Sequence, residues 1–171
     1  GKSRLVAGTQ AAEEAPAFSP DGGWIAYAAS EVPVAWAGAS RLQLVPSEGG
    51  TPRALASSHD GRPGVLGWSA DGRRVLVSET YRTVSRVWAV PSEGGHVQGL
   101  TPADLMVESP ALNVARTHLG FTSQAVERPA EAFVSTVDSF AAVQVSRVQN
   151  SPKVTIGKTE AIEWKSSDGK S

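Results

Sequence analysis

The sequence contains no cysteine, which excludes disulfide bonds, thiolate catalysis and cysteine-based zinc sites. It also lacks an excess of basic residues, since 16 Lys and Arg stand against 17 Asp and Glu, a net charge of −1. Nucleic acid is therefore not an expected partner, because a phosphate backbone is bound through clustered positive charge. No apolar run approaches the roughly 20 residues that cross a bilayer, so no membrane partner is expected either.

The chain does contain internal repeats. The string Val-Pro-Ser-Glu-Gly-Gly at 45–50 recurs letter for letter at 90–95. Upstream of each copy, Phe-Ser-Pro-Asp-Gly at 18–22 matches Trp-Ser-Ala-Asp-Gly at 68–72. The second match has the larger spacing, which indicates a surface-loop insertion between Ser30 and Arg41 in the first copy.

Each repeat has the two-residue periodicity of β-strands. Short runs such as 74–78 are rich in β-branched residues, and the Asp-Gly and Ser-Glu-Gly-Gly strings supply hairpin turns between them. A third, degraded copy follows, in which Ala115 and Arg116 replace the Asp-Gly turn. Four short strands per roughly 45 residues are typical of a β-propeller blade. The sequence therefore predicts an all-β fold, a partial β-propeller of about three four-stranded antiparallel blades. The predicted units are the last strand of a preceding blade at 1–10, a blade at 11–57, a blade at 58–102 and a degenerate blade at 103–150.

The stretch at 18–27, Phe-Ser-Pro-Asp-Gly-Gly-Trp-Ile-Ala-Tyr, resembles the propeller repeat of TolB-like proteins and of the prolyl oligopeptidase family, including the acylaminoacyl peptidases. The stretch at 159–170 resembles the segment through which those peptidases pass from propeller to α/β-hydrolase domain. This resemblance implies that 151–171 are a linker and the first strand toward a hydrolase domain. An alternative is that 164–169 opens a fourth blade.

The resemblance implies the non-catalytic propeller portion of a serine peptidase, which restricts the access of peptides to an active site outside this chain. The expected partners are then the C-terminal α/β-hydrolase domain of the same parent protein and short peptides. The alternative is a TolB-like propeller that acts as a protein–protein binding module. Under either interpretation, open faces at both ends of a three-blade stack predict self-association.

No catalytic residue is predicted in this chain. The stretch at 67–71 approaches the Gly-x-Ser-x-Gly motif of hydrolases but lacks its last glycine, and we expect Ser69 to cap the Asp-Gly turn. His59, His96 and His118 lack the spacing of a metal site, so neither metal nor cofactor is expected. Trp36 lies in the insertion, outside the repeat, and is the candidate for contact with a substrate or a neighbouring domain. The alternative for Trp36 is packing onto its own blade.

Overall fold

The computed structural model describes residues 3–149, 157 and 159–168, and within these residues the chain forms twelve β-strands and no helix. The first sheet contains β1 (Glu13–Phe18), β2 (Trp24–Ser30), β3 (Ser40–Pro46) and β4 (Arg53–Ala54). The second sheet contains β5 (Gly64–Trp68), β6 (Arg74–Tyr81), β7 (Val84–Pro91) and β8 (Gln98–Gly99). The third sheet contains β9 (Glu108–Leu112), β10 (His118–Ala125), β11 (Arg128–Thr136) and β12 (Val143–Gln144).

Each sheet is an antiparallel meander in which sequential strands are hydrogen-bonded neighbours. The sheets stand side by side, since β1 contacts β5 and β5 contacts β9. The predicted all-β fold with three four-stranded antiparallel units is therefore confirmed. The exact bounds of the four predicted units stay predictions, and the described residues before Glu13 and after Gln144 form no strand. The described part of the chain includes no helix that could span a membrane.

The core lies between the sheets. Strand β6 illustrates why, because Val75, Leu76 and Val77 are all fully buried although alternate residues of a strand point to opposite faces. One cluster joins the first and second sheets and contains Ala26, Leu42, Leu44, Leu55, Trp68, Val75, Val77 and Val90. The other joins the second and third sheets and contains Leu76, Val87, Ala89, Val107, Leu119, Phe121 and Val137. The middle sheet is thus apolar on both faces, as a sheet between two others must be.

Trp68 and Phe18 occupy equivalent positions but have different surroundings. Trp68 is 1% exposed, and its indole N–H donates a hydrogen bond of 2.9 Å to the carbonyl oxygen of Ala17 in the first sheet. Trp68 therefore packs between the first and second sheets. Phe18 is 58% exposed, because no sheet among the described residues lies beside the first sheet on that side.

In the third sheet, the connection between β9 and β10 forms the same type of turn as the β1–β2 and β5–β6 connections, but from different residues. The amide of Arg116 donates to the Asn113 carbonyl at 2.9 Å, as Gly22 and Gly72 donate to the serine carbonyls of their turns. Arg116 takes the left-handed conformation at φ 58°, close to the 72° and 70° of the two glycines. Asn113 Oδ1 accepts the amides of Thr117 and His118, so the side chain closes the turn without an Asp-Gly pair.

Candidate interaction face

The meander topology sorts the loops onto two edges of the molecule. The turn edge carries the first and third connections of each sheet, such as 19–23 and 46–50. The hairpin edge carries the second connection of each sheet and the links between sheets. Contacts confirm this arrangement: the Ser47 amide donates to the Gly23 carbonyl at 2.9 Å on the turn edge. On the hairpin edge, the Ser40 amide donates to the Gly61 carbonyl at 2.7 Å.

The turn edge is structural rather than chemical. The Ser69 hydroxyl donates to Asp71 Oδ1 at 2.6 Å and accepts the Arg74 amide at 3.0 Å, so it caps the turn as predicted. Ser19 makes the same pair of bonds with Asp21 and Trp24. Both serines are buried, and each hydroxyl is committed to its own turn. Neither is placed to act as a nucleophile.

The turn carboxylates make the fold sensitive to acid. The Ser19 and Ser69 hydroxyls, followed by the amides of Gly23 and Arg73, lower the pKa of Asp21 and Asp71 below the ordinary value of 3.8. A carboxyl whose folded pKa lies below its unfolded pKa stabilises the fold above pH 4, and this contribution is lost as the pH falls further. We expect the urea midpoint to fall between pH 5 and pH 3.

The control for this acid prediction is D71N, which removes one titrating carboxyl while keeping the shape of the side chain. The variant should be less stable than the unchanged chain at pH 7, and the difference should shrink at pH 3 as the aspartic acid becomes neutral. A difference of constant size between pH 7 and pH 3 would show that the Asp71 turn does not contribute to acid sensitivity.

On the hairpin edge, Trp36 is 99% exposed and does not pack onto its own sheet. The loop that carries it is nevertheless held in place from the second sheet's side. The Arg62 guanidinium donates to the carbonyl oxygen of Gly38 at 2.9 and 3.1 Å and to that of Trp36 at 3.2 Å. The indole of Trp36 is thus exposed on a backbone that the Arg62 guanidinium fixes.

Glu79 fixes Arg62 in turn. This carboxylate is 4% exposed and accepts two backbone amides, that of His59 at 2.8 Å and that of Arg62 at 2.9 Å. The link 57–63 therefore wraps around a buried acceptor in β6. Through Arg62, the buried Glu79 carboxylate therefore positions the backbone of the Trp36 loop in the neighbouring first sheet.

Next to this link lies an aromatic group on the second sheet. The His59 ring centre is 4.6 Å from that of Tyr81, and the Tyr81 ring lies edge-on to Trp88 at 5.7 Å. The Arg86 guanidinium lies 5.0 Å from the Tyr81 ring centre and 4.6 Å from that of Trp88. Arg86 also donates to the Thr101 carbonyl, so the cation already fills the space between the two rings. Arg86 thus already makes cation–π contacts with both Tyr81 and Trp88.

The described C-terminal residues lie against the same edge. Arg82, in the β6–β7 turn, forms an ion pair with Glu163 at 3.2 Å, and a groove of about 760 Å³ lies between the turn and residues 161–166. Trp164 and Ile162 are 77% and 76% exposed. Six of the exposed large apolar side chains lie on the hairpin edge: Val32, Val34, Trp36, Val126, Ile162 and Trp164. This set defines the candidate interaction face.

The three histidines are not brought together. His59 belongs to the aromatic cluster, His96 lies in the β7–β8 loop, and His118 begins β10 beside the Thr117 hydroxyl at 2.9 Å. Among the residues that the structure describes, no three His, Asp or Glu side chains are grouped closely enough to hold a metal ion.

No protein-family model matches the sequence, and no curated protein matches it. Several solved structures do match this chain. TolB from Acinetobacter baumannii is 14% identical with a TM-score of 0.58, over 75% of this chain and 31% of that one. A puromycin-hydrolyzing peptidase from Mycobacterium tuberculosis is 16% identical with a TM-score of 0.65, over 85% of this chain and 23% of that one. The β-propeller domain of the Trilobed protease from Pyrococcus furiosus is 14% identical with a TM-score of 0.52, over 81% of this chain and 44% of that one.

The fold is a partial β-propeller of this kind. At identities below 25% the likeness establishes the fold alone, and the chain spans less than half the length of each of these three structures. The three sheets are therefore blades, and the hairpin edge is one of the two rims of the propeller.

Sequence reasoning located one part of this rim and missed others. Trp36 stands out because it falls outside the repeat, and its role in contact stays a prediction. Glu79 and Arg62 were missed, because their partners are backbone amides and carbonyls that leave no signal in the sequence. The sequence indicates only that Glu79 needs some partner if it is buried, since a charged residue within an apolar strand is rarely buried without one.

Proposed function

We propose that this chain is part of a non-catalytic propeller of a prolyl oligopeptidase-type serine peptidase, and that its hairpin rim faces the catalytic α/β-hydrolase domain. The observation that carries the proposal is the Arg82–Glu163 ion pair. It holds the segment that resembles the passage into the hydrolase domain against the rim that also presents Trp36. The solved peptidase propellers of the same fold support the proposal.

In this function the propeller contributes no reacting group. The rim covers the active site of the neighbouring domain, and Trp36 fills part of the gap between the two domains. Short peptides pass the gap, whereas folded chains are too large. The propeller selects substrates by size, and the Ser-His-Asp chemistry belongs to the other domain.

One observation favours the alternative of a TolB-like binding module. The Ser166 hydroxyl donates to the Asp168 carboxylate, as Ser19 does to Asp21 and Ser69 to Asp71. The turn at 167–168 therefore has the form with which the first two blades connect their first and second strands. In this alternative, the segment opens another blade and the exposed rim binds a protein partner.

The test begins with the coding sequence beyond Ser171, where the proposal requires a Gly-x-Ser-x-Gly motif and the alternative requires a further blade. In the whole protein, W36A is expected to raise kcat/KM for peptides of about 20 residues by at least about fivefold, which corresponds to about 1 kcal/mol. The kcat/KM for a dipeptide anilide should stay unchanged, because a dipeptide already passes the gap.

The matched control is V114A, since Val114 is fully exposed but lies on the opposite edge of the molecule. It should leave both substrates unaffected. Equal effects of W36A on long and short peptides would contradict a role in size selection. Hydrolysis of peptide anilides by the 171-residue chain alone would contradict the non-catalytic assignment.

A further inference from the structure

The N-terminal segment 4–7 repeats a set of contacts found inside the chain. Arg53, which begins β4, donates to the Ser92 carbonyl at 2.6 Å and pairs with Glu93 at 3.4 Å in the second blade. Arg4 donates to the Ser47 carbonyl at 2.9 Å and pairs with Glu48 at 3.2 Å in the first blade. Ser47-Glu48 and Ser92-Glu93 are the same positions of the repeated string. Arg4 therefore binds the first blade as Arg53 binds the second.

The apolar contacts repeat in the same way. Leu55 packs in the cluster that contains Val90, and Val6 packs in the cluster that contains Val45 and Tyr27. Val45 and Val90 are again equivalent positions of the repeat. Residues 4–7 thus occupy the position on the first blade that β4, the outermost strand of the first blade, occupies on the second blade.

The rest of that face is incompletely covered. Phe18 is 58% exposed, whereas its equivalent Trp68 is buried by the preceding blade. Tyr27 is 4% exposed, yet its hydroxyl has no hydrogen-bond partner in the described structure. A cavity of about 300 Å³ lies beside it, between segment 4–7 and the first two strands. The exposed ring, the unpartnered hydroxyl and the cavity lie on one side of the first sheet.

We propose that this face of the first blade binds a three-stranded β-meander of the same repeat, and that residues 4–7 pair with the meander as its fourth, outermost strand. We infer this occupant because the interface between the first and second blades is built from the equivalent positions of the repeat. The proposal concerns the blade face and is independent of the function of the hairpin rim.

The repeat also gives the register of this pairing. The amides of Leu55, Leu100 and Val145 donate to the carbonyls of Leu42, Val87 and Ala132 at 2.9, 2.8 and 2.8 Å. Each acceptor lies in the third strand of its own blade, 13 positions before the donor. Val6 is the corresponding donor in segment 4–7, so its amide should bond to the third strand of the added meander.

The experiment supplies the meander from the chain itself. A second copy of residues 58–97 is joined directly to Arg4, so that Arg4 takes the place of Gln98 after β7. The second blade is the appropriate donor, because it already packs against Leu119 and Phe121, the equivalents of Ile25 and Tyr27. We expect the Val6 amide to exchange at least about 100-fold more slowly than in the unmodified chain, and the thermal midpoint to rise by at least about 5 °C.

F18D provides the matched control. It should lower the midpoint of the extended chain by several degrees more than that of the unmodified chain, because only the extended chain buries Phe18. The proposal is wrong if the added residues stay unfolded, or if they fold without protecting Val6. It is also wrong if F18D abolishes self-association of the unmodified chain while the added meander leaves that association unchanged, since a second copy would then be the occupant of this face.

Discussion

Replacing Trp68 by alanine is expected to lower the free energy of unfolding by about 3–5 kcal/mol, the usual cost of removing a fully buried tryptophan. The indole is 1% exposed between the first and second blades, where it packs in the cluster that contains Leu44 and Val75. The variant also loses the hydrogen bond from the indole N–H to Ala17. Urea unfolding followed by far-ultraviolet circular dichroism measures the difference.

Phe18 is the control for Trp68, because it occupies the same position of the repeat in the first blade but is 58% exposed. F18A should cost less than about 1 kcal/mol, since little apolar area leaves the protein interior. W68F should fall between the two, with about 1 kcal/mol assigned to the lost hydrogen bond. Similar costs for W68A and F18A would contradict the account of the blade interface.

The second large effect is expected at Glu79. E79A removes the buried carboxylate that accepts two amides in the described structure, those of His59 and Arg62. A hydrogen bond to a charged group contributes about 1.5–3 kcal/mol, and water can reach part of this exposed link, so the loss of both bonds should cost about 2–4 kcal/mol of stability. Hydrogen exchange at His59 and Arg62 should accelerate more than exchange in the cores of β6 and β7.

Two variants separate the role of this carboxylate from a general loss of charge. E79Q keeps one side-chain oxygen as an acceptor and should cost about half as much as E79A. E127A removes an exposed glutamate from the β10–β11 turn and should change the stability by less than about 0.5 kcal/mol. If E79A loosened the whole second blade uniformly, the carboxylate would not act through the link 57–63.

The strand pattern of this protein could be predicted because it is repeated. The copy of Val-Pro-Ser-Glu-Gly-Gly at two places marks the same turn twice, and the Asp-Gly pairs mark another. The third blade shows where this signal ends. Asn113 closes the turn with its side-chain amide, and Arg116 takes the left-handed backbone conformation. Neither residue type predicts such a turn.

The candidate face could be predicted only at Trp36, whose position outside the repeat removes the expectation of a core role. The contacts that hold its loop were not predictable. Glu79 has Ala29 as its counterpart in the first blade, so the repeat gives no reason to expect a carboxylate there. Its partners are backbone groups from a link 17–20 residues away, and any residue could supply them.

The amino-acid sequence by itself determined the all-β fold and its three four-stranded antiparallel units, because periodicity and turn chemistry act over a few residues. The tertiary structure decided which copies of a repeated residue are buried. Trp68 and Phe18 both precede a Ser-x-Asp-Gly turn but have opposite exposure, since burial depends on whether another sheet stands alongside. The tertiary structure also decided that Trp36, Arg82 and Glu163 lie on the same edge. Loops that are far apart in sequence come together there only because the sheets stack side by side.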